Sequence, residues 1–570
     1  FRPNPPLNGV RWCIRNNLNY QQSALLLSLN YMARNGRRYL DNFYRKSLRA
    51  VERGRTADGP HAFHIPADQP RAVEAGNLVN LLRFHGIEVH TAERAFKAGG
   101  VDVAAGDYVV RLDQPYGPLA RTYFGVQMYR ASDPRPYDDT GWTLHLLRNV
   151  ALHEVKDTAV LRQPLRLVTQ DVTVRGELVG GRGARAYLIA PTTESGLIQF
   201  RFALRDVEMF AAEDSFTLDR VTYAAGAVII PATDARSPVH DRIRQAAESL
   251  GIRVTGAARM PQVAQHPLDL PRIALVHSWL NTQNEGWVRF AFDRLGIPVR
   301  YLNVQQLADR QLLSGFDVLV FPYVGSNPQL LVSGQPMAGP KIPWRRTPET
   351  PNIGVMDSTD DIRPGIGLAG MAVLRDWIAA GGLFVTEGAT SAVMTDYGVT
   401  RFVNIEPARQ LRASGGVYRS VLRDRRSPIA YGYADTLAVY FNQSPLFQAQ
   451  TGDTPQEQPD EDADTVAARQ LAEMRPRVVF AFHAKEDSLR LSGLLVNGEE
   501  LAGRPAVIDA PVGRGHVVLF AIRPFWRWET QGSFALAFNA ILNWNDLHVG
   551  RPARQRRPTA TVDGDQGPIH

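Results

Sequence analysis

A group of polar side chains near two predicted strand ends is the best candidate for chemistry in this sequence. The apolar runs 272–276 and 383–386 each stop at a polar residue, and a polar loop follows the first run. Ligands of open α/β sheets bind beyond the carboxyl ends of the strands, so we predict that these side chains bind a small ligand or a peptide end. The alternative is that they act as helix caps and loop hydrogen bonds. The candidate ligand-binding residues are His277, Asn281, Gln283, Glu285 and Glu387.

Two histidine patterns have the composition of a metal site. His483 and Glu486 have the HxxE spacing of a zinc pair, but they follow an apolar strand, where a three-residue spacing does not place both side chains on one ion. The second pattern is a group of histidines within one predicted α/β unit, which we interpret as rim residues: His61, His64, His85 and His90. We therefore predict no metal ligand and no cofactor in this chain.

The strand end at 384–391 lacks a nucleophile. It reads FVTEGATS, with no cysteine and no G-x-S-x-G turn. The domain around it resembles the class I glutamine amidotransferases, whose nucleophile is a cysteine on a sharp strand-to-helix turn. A turn without a nucleophile does not support covalent acyl transfer. We therefore predict no catalytic residue in this chain.

The elements around His277 predict a doubly wound, flavodoxin-like α/β sheet. The run 272–276 is followed by one apolar helical face within 287–295 and by a return strand at 299–302. The run 316–323 (FDVLVFPY) is continuously apolar, as in a parallel strand that is buried on both faces. Such a sheet would place the candidate residues at one edge.

The chain as a whole predicts a multidomain α/β protein. Polar and apolar residues alternate across 158–227, including 197–204, which indicates strands and hairpins. Ile65-Pro66 and Ile230-Pro231 begin two strand–helix–strand units of equal spacing, which suggests a duplicated element. The predicted regions are a helical segment at 1–58, an α/β region at 59–157, a β-rich domain or insertion at 158–227, an α/β element at 228–270 that completes the N-terminal region, an amidotransferase-like domain at 271–549 with a solvated acidic loop at 450–466, and a disordered tail at 550–570.

Composition argues against several classes of protein. The net charge is +7, but the arginines are interleaved with Asp and Glu and form no basic patch, so we predict no nucleic-acid partner. No apolar stretch reaches the length of a membrane span, so we predict none. Cys13 is the only cysteine, which excludes disulfides within the chain and multi-cysteine metal sites. The sequence begins with Phe1 rather than Met, and we interpret it as a piece of a longer protein or a processed product.

Several long phrases are shared with a known group of proteins. They are RNNLNYQQSALLLSLNYMARN (15–35), DPRPYDDTGWTL (133–144), HSWLNTQNEGW (277–287) and FWRWETQGSF (525–534), together with stretches at 41–54, 105–120, 359–370 and 427–433. With these phrases the chain resembles the C-terminal part of bacterial zinc carboxypeptidase-like proteins, whose catalytic domain is of the carboxypeptidase A type (metallopeptidase family 14). The resemblance covers nearly the whole chain.

The resemblance implies that catalysis belongs to another part of a parent protein. In that family the HxxE zinc pair, the later zinc histidine and the general-base glutamate lie in an N-terminal catalytic domain, which would precede Phe1. Zinc-activated water there removes C-terminal residues from peptides. Residues 1–58 would be the end of that domain or the link from it, and the domain would be the partner of this chain, which alone would be inactive. The resemblance also implies export to the periplasm or the extracellular space.

Two other functions remain open at the level of the sequence. The amidotransferase-like domain is a ligand- or peptide-binding module, or the chain is a structural scaffold. Substitution of His277 or Glu285 separates these two, because unchanged ligand binding and unchanged activity of the parent would favour the scaffold.

Overall fold

The computed structural model describes residues 9, 11–56, 58–134, 136–232, 239–451 and 474–551. These residues form a mixed α/β protein in two compact units. Unit 1 comprises Phe1–Ala67, Val79–Thr122 and Leu152–Asp171, and unit 2 comprises Asp68–Leu78, Tyr123–Ala151 and Val172–His570. Most of the predicted acidic loop (452–466) and of the predicted tail (552–570) lies outside the described residues. No helix in the described part of the chain has the length and apolar character that a membrane span requires.

Two long helices, α1 (Ile14–Arg34) and α2 (Gly36–Thr56), form an N-terminal hairpin in unit 1, which confirms the predicted helix pair. No residue of α1 is buried, and α2 buries Ala50 and Gly54 alone. Gly54 packs closely on the rest of unit 1, because a Cβ at this position would lie 2.2 Å from the carbonyl oxygen of Leu112. The apolar face of the remaining hairpin is exposed.

The next elements build a five-stranded antiparallel sheet in unit 1. The elements are β1 (Ala62–Ile65), α3 (Ala72–Phe84, whose first residues belong to unit 2), β2 (His90–Ala92), β3 (Phe96–Ala98), β4 (Val101–Val103), β5 (Tyr108–Arg111), α4 (Gly117–Phe124, whose last residues belong to unit 2), α5 (Leu144–Leu147, in unit 2), β6 (His153–Val155) and β7 (Leu165–Leu167). The strand order is β6–β1–β5–β2–β7, and β3 and β4 form a separate hairpin. The last strand of this sheet, β7, pairs with β2 but follows the domain boundary that was predicted at 157/158. The sheet therefore extends beyond that predicted boundary.

A six-stranded sheet forms the first part of unit 2. Its region contains β8 (Glu177–Val179), β9 (Ala186–Ile189), α6 (Gly196–Ala203), β10 (Phe210–Ala212), β11 (Phe216–Leu218), β12 (Val221–Tyr223), β13 (Val228–Pro231), α7 (Val239–Leu250), β14 (Arg253–Ala257) and β15 (Gln265–Pro267). The order is β15–β10–β13–β9–β14–β8, so the predicted boundary at 227/228 falls inside one sheet. The predicted strand at 197–204 is wrong, since α6 lies there. A short apolar run that is buried looks alike in a helix and in a strand.

The five-stranded sheet and five strands of the six-stranded sheet share one antiparallel strand order, and β8 pairs in parallel with β14 outside it. The series β6–β1–β5–β2–β7 corresponds, position by position, to β14–β9–β13–β10–β15, and each series has a hairpin between its second and third strands along the chain (β3–β4 or β11–β12). This topology indicates a duplicated element, but in another register than the predicted one. By topology β1 corresponds to β9, whereas the sequence pattern matched Ile65-Pro66 with Ile230-Pro231 of β13. Strand–helix–strand spacing recurs within each copy, so the pattern alone selected a pair that is not equivalent.

The C-terminal part of unit 2 contains the sheet that carries the candidate residues. Its elements are β16 (Ile273–His277), α8 (Gln283–Leu295), β17 (Arg300–Asn303), α9 (Arg310–Leu313), β18 (Val318–Phe321), α10 (Pro328–Ser333), α11 (Gly367–Ala379), β19 (Leu383–Glu387), α12 (Ala392–Asp396), β20 (Val403–Glu406), β21 (Gly416–Leu422), β22 (Thr436–Phe441), β23 (Leu446–Ala449), β24 (Arg477–Phe482), α13 (Glu486–Leu489), β25 (Arg490–Ser492), β26 (Pro505–Val512), β27 (Gly515–Phe520) and α14 (Gln531–Leu542).

Five parallel strands of this sheet lie in the order β17–β16–β18–β19–β27, which is 2-1-3-4-5 along the chain and is the order of flavodoxin-type sheets. An antiparallel extension, β26–β24–β21–β22, follows β27. All residues of β16, β18, β19 and β27 are buried, as expected of parallel strands that are covered on both faces. The strands predicted near 272–276 and 316–323 are confirmed.

Candidate binding site at the carboxyl edge of the parallel sheet

The strand register places His277 and Glu387 at the same edge of the sheet. Leu275 of β16 lies opposite Val320 of β18, and Phe321 of β18 lies opposite Thr386 of β19. The last residues of β16 and β19 are therefore level with each other, two strands apart, which is about 10 Å between backbones. The order of the strands along the chain reverses between β16 and β18, and ligands of such sheets bind at this switch point.

His277 belongs to a set of mutually paired side chains, buried or half-buried, that we call the His277 cluster: His277, Glu285, Tyr301, Asn303 and Asp357. The Nε2 atom of His277 lies 2.7 Å from Oδ2 of Asp357, and Asn303 donates a hydrogen bond of 2.8 Å to the same oxygen. The imidazole stacks on the Tyr301 ring, with centroids 4.2 Å apart. Burial lowers the pKa of His277, and the Asp357 carboxylate opposes this shift.

Glu285 lies in the first turn of α8, in contact with the same tyrosine. The Tyr301 hydroxyl donates a hydrogen bond to Oε1 of Glu285, and Arg289 lies over the Tyr301 ring, 5.4 Å from its centroid. Burial raises the pKa of Glu285 to about 7. Its second oxygen, Oε2, is enclosed and has no hydrogen-bond partner among the described residues. A carboxyl group in this setting is only partly ionised near neutral pH.

Asn281 and Gln283 do not join this cluster. The side chain of Asn281 accepts a hydrogen bond of 3.0 Å from the backbone N–H of Gln283, where α8 begins, and the Gln283 side chain is exposed. This is the local role that the alternative interpretation assigned to such residues.

A second set of side chains, which we call the Arg523 cluster, includes Glu387. It consists of Asp139, Tyr323, Glu387, Tyr440, Arg523 and Trp526. Oε1 of Glu387 accepts a hydrogen bond of 3.3 Å from the backbone N–H of Tyr323, and Oε2 is enclosed without a partner in the described part of the chain. Burial raises the pKa of Glu387 to about 7, against the opposing charge of Arg523.

The turn after Glu387 is made by a glycine. Gly388 has a φ of +58°, and a Cβ there would lie 2.7 Å from the Tyr323 ring. A side chain at this position would therefore strain the backbone and clash with the Tyr323 ring. The strand-to-helix turn, where a hydrolase elbow carries its nucleophile, is held here by a residue without a side chain.

Arg523 follows β27 and is enclosed by aromatic rings. Its guanidinium carbon lies 3.7 Å from the centroid of Tyr323, 4.5 Å from that of Trp526 and 5.7 Å from that of Tyr440. The residue is 5 % exposed. No hydrogen bond or ion pair engages its guanidinium within the described residues, and its nitrogens are not among the fully enclosed polar atoms. The charge is thus surrounded by π faces, which attract cations, but it has no acceptor.

Asp139 fixes two walls of this aromatic enclosure. Its Oδ2 accepts a hydrogen bond of 2.8 Å from Nε1 of Trp526, and its Oδ1 accepts one of 2.5 Å from the Tyr440 hydroxyl. Nη1 of Arg527 lies 3.0 Å from Oδ2 of the same carboxylate. The rings of Tyr440 and Trp526 stack, with centroids 5.1 Å apart. One carboxylate therefore holds both rings in place before any ligand arrives.

The residues that sequence reasoning missed come from distant segments. The His277 cluster is completed by Tyr301, Asn303 and Asp357, and the Arg523 cluster by Asp139, Tyr323, Tyr440, Arg523 and Trp526. None of them was a candidate. One signal was present: the phrases at 133–144, 277–287 and 525–534 contribute Asp139, His277 with Glu285, and Trp526, so they converge at one edge. Asp361 and Arg363, in the phrase at 359–370, instead form a buried pair with each other.

The described ranges contain no group of three His, Cys, Asp or Glu side chains placed to hold a metal ion. Glu486 accepts a hydrogen bond of 2.8 Å from the N–H of Gly498, and His483 is bonded to the adjacent Lys485 backbone. In unit 1, His64 bonds to Asp107 at 2.8 Å and His61 bonds to the Gly54 carbonyl at 2.8 Å. These contacts are those of structural residues.

A small cavity lies apart from the sheet edge. It has a volume of about 20 Å³ and is lined mostly by apolar residues, together with polar residues that include Arg201, Tyr431 and Asn543. This volume is that of about one water molecule, so the cavity does not compete with the edge as a ligand site.

No protein-family model matches this chain, and no curated protein matches it. One similar solved structure is a proposed ThuA-like protein from Bacteroides uniformis, with 10 % identity and a TM-score of 0.28 over 48 % of this chain and 92 % of that chain. A second is a proposed GMP synthase component from Thermoplasma acidophilum, with 10 % identity and a TM-score of 0.27 over 48 % of this chain and 92 % of that chain. A third is a β-galactosidase from Bacillus circulans, with 12 % identity and a TM-score of 0.26 over 48 % of this chain and 30 % of that chain. At these TM-scores none of the similarities bears on function.

Proposed function

We propose that this chain is the non-catalytic C-terminal region of a zinc metallocarboxypeptidase-like protein. The sequence phrases given above support the family. In the parent, zinc-activated water removes C-terminal residues from peptides, zinc belongs to the N-terminal catalytic domain, and the protein is exported to the periplasm or the extracellular space. Residues 271–549 are then an amidotransferase-like domain without a nucleophile, which accords with the 2-1-3-4-5 strand order and with Gly388 at the turn.

The observation that carries this proposal is the uncovered apolar face of the α1–α2 hairpin. Leu25 and Leu29 of α1 are 59 % and 54 % exposed, and Phe43 of α2 is 65 % exposed. A contiguous apolar surface of this kind marks an interface in a soluble protein. The resemblance places the catalytic domain of the parent next to this hairpin, so that domain is the partner that we propose for it.

Production of the catalytic domain of the parent as a separate protein tests this assignment. We expect it to bind the present chain, to contain one zinc ion and to cleave peptides, while the present chain alone neither contains zinc nor cleaves peptides. Elemental analysis that finds one zinc per molecule of the present chain would contradict the proposal.

A matched pair of variants tests the interface itself. Leu29→Ser removes an apolar side chain from the hairpin face, and Leu368→Ser removes one from α11 that is 74 % exposed. We expect the first change to weaken binding of the catalytic domain at least tenfold and the second to leave it unchanged. Equal effects of the two substitutions would remove the hairpin from the interface.

A second function, a ligand-binding module, is favoured by the polar groups left unpaired at the sheet edge. Oε2 of Glu285 and Oε2 of Glu387 have no partner among the described residues, and neither has the guanidinium of Arg523. Buried polar groups in folded proteins are rarely left without partners, and the exceptions concentrate at functional sites. The binding function is compatible with the first proposal, because an appended domain can hold a substrate or a product of its parent.

A further inference from the structure

We propose that Arg523 is the receptor for the carboxylate group of a small organic ligand, a free amino acid or the C-terminal residue of a peptide. This inference rests on the binding function proposed for the sheet edge and gives that site its ligand class. It begins from one observation: a nearly buried guanidinium faces three aromatic rings and pairs with no acid in the described part of the chain.

The lack of a partner at Arg523 is unusual in this molecule. Buried arginines elsewhere in unit 2 have acids or carbonyls as acceptors: Arg148 pairs with Glu74, Arg363 with Asp361, and Arg477 with the Val549 carbonyl oxygen at 3.0 Å. An arginine presents a planar fork of N–H donors that matches a carboxylate in a bidentate manner. A ligand carboxylate would give Arg523 the acceptor that the described residues do not supply.

The surrounding rings give the site its preference for an organic ligand. Trp526 and Tyr440 are held by Asp139, and Tyr323 is held beside Glu387 by its backbone. Aromatic rings that are fixed before binding contribute apolar contact area at a low cost in side-chain entropy. The carboxylate is therefore expected to carry an apolar or aromatic group that packs on these rings.

The charges around Arg523 disfavour inorganic phosphate. Glu387 bonds to the Tyr323 backbone and interacts with the charge of Arg523, Asp139 bonds to Trp526 and Tyr440, and Asp138 pairs with Arg527. A phosphate dianion would be repelled by these acids more strongly than a single carboxylate, and a ligand that also carries an ammonium group would be repelled least. The setting therefore favours a carboxylate of low net charge.

The ligand class fits the proposed parent. A carboxypeptidase acts on the residue that bears the free carboxylate of a peptide, and it releases that residue as an amino acid. Both species present the same group to Arg523, so the chemistry is shared and an experiment must separate the two sources.

Isothermal titration calorimetry on the full chain tests the inference with four probes. They are L-phenylalanine, N-acetyl-L-phenylalanine as a mimic of a peptide C-terminus, L-phenylalanine amide, which lacks the carboxylate, and inorganic phosphate. We expect one or both of the first two to bind, and the amide and phosphate to bind at least tenfold more weakly. Tighter binding of the free amino acid indicates a released product, and tighter binding of the acetylated form indicates a peptide end. The titrations are repeated with the other standard amino acids, because the side chain that the site prefers is not known in advance.

Substitutions tie the signal to the guanidinium. Arg523→Met should abolish binding of the carboxylates, and Arg523→Lys, which keeps the charge without the fork, should retain weak binding. Arg310→Met removes an arginine from an exposed pair with Asp376 and should leave the affinity unchanged. Circular dichroism verifies that each variant is folded. If Arg523→Met does not fold, the affinity of Arg523→Lys for the carboxylates tests the role of the guanidinium.

Two results would overturn the inference. If the amide binds as tightly as the acids, the ligand does not use Arg523 through a carboxylate, although the binding function of the edge stands. If no amino acid or acetylated amino acid binds the folded wild-type chain at millimolar concentration, the site is not a carboxylate receptor. The zinc and hairpin experiments decide the proposal about the parent independently of both results.

Discussion

The His277 cluster and the Arg523 cluster lie at the same edge of one sheet and treat buried polar groups in opposite ways. In the first, His277 and Asn303 share the Asp357 carboxylate and Tyr301 bonds to Glu285. In the second, Arg523 meets only aromatic rings within the described residues. Paired polar groups stabilise a fold when their partners are complete, whereas a buried charge without an acceptor costs stability, which contacts with aromatic rings offset in part, and keeps its capacity to bind. The contacts of Asp357 hold the edge together, whereas Arg523 and the unpaired oxygens of Glu285 and Glu387 are free to recognise a ligand.

The largest expected effect concerns Glu387 and is a dependence of stability on pH. Its folded pKa of about 7 lies above the ordinary value of 4.5, so its contribution to stability is complete below about pH 4.5 and is lost as the pH rises through 7. The loss at pH 8 is roughly 3 kcal/mol, from 1.36 kcal/mol per pKa unit. We expect Glu387→Gln to raise the free energy of unfolding at pH 8 by up to this amount and to change it little at pH 4.5.

Urea denaturation at the two pH values measures this difference. Glu406→Gln, which alters a half-exposed pair with Arg504, is the control and should show no such contrast between the two pH values. An equal pH dependence of wild type and Glu387→Gln would mean that the Glu387 carboxyl is ionised at neutral pH and paired in solution.

The next effect tests the paired cluster. Asp357→Ala removes the acceptor of both His277 and Asn303, so we expect the free energy of unfolding to fall by about 2 kcal/mol. Denaturation by urea at pH 7 measures it. Asp360→Ala, which breaks an exposed pair with Arg345, should change the free energy of unfolding by less than about 0.5 kcal/mol. A similar small value for both variants would show that the His277 cluster is not structural.

Asp139 stands between the two cases, because it is paired and also shapes the aromatic enclosure. Asp139→Asn keeps the size of the side chain but weakens the bonds from Trp526, Tyr440 and Arg527, so we expect a loss of about 1 kcal/mol. Thermal denaturation measures the loss. Asp138→Asn, at an exposed acid bonded to Arg527, should have little effect on thermal stability. Equal losses in the two variants would show that Asp139 does not hold the aromatic rings in place.

The smallest effect is expected at Arg523. Arg523→Met breaks no hydrogen bond among the described residues and keeps apolar contact with the rings, so the free energy of unfolding should stay within about 1 kcal/mol of the wild-type value. Urea denaturation without ligand provides the measurement. A loss of more than about 3 kcal/mol would place Arg523 with the structural residues and remove the contrast between the two clusters.

The sequence predicted the elements better than their partners. The helix pair, the parallel strands and the polar ends of β16 and β19 follow from local periodicity, and all lie where they were expected. Asp357 and Arg523 were missed because their roles arise from contacts with segments far away in sequence, which periodicity does not encode. The same limit explains the register of the duplication, where equal spacing selected β13 and strand pairing selects β9. Asn281 and Gln283 were chosen by type and position, but the chain uses them locally.

The close packing of Gly54 determines where the N-terminal hairpin ends as a separable piece. Its backbone lies against Leu112, and its carbonyl oxygen accepts a hydrogen bond from His61. The last turn of α2 therefore packs on the body of unit 1, unlike the exposed part of the hairpin. Ala50 is the first buried residue of the hairpin. A protein shortened to begin just before Ala50 should therefore lose the exposed apolar part of the hairpin and stay soluble. A protein that begins after Gly54 should lose the contact with Leu112, expose that part of unit 1 and precipitate.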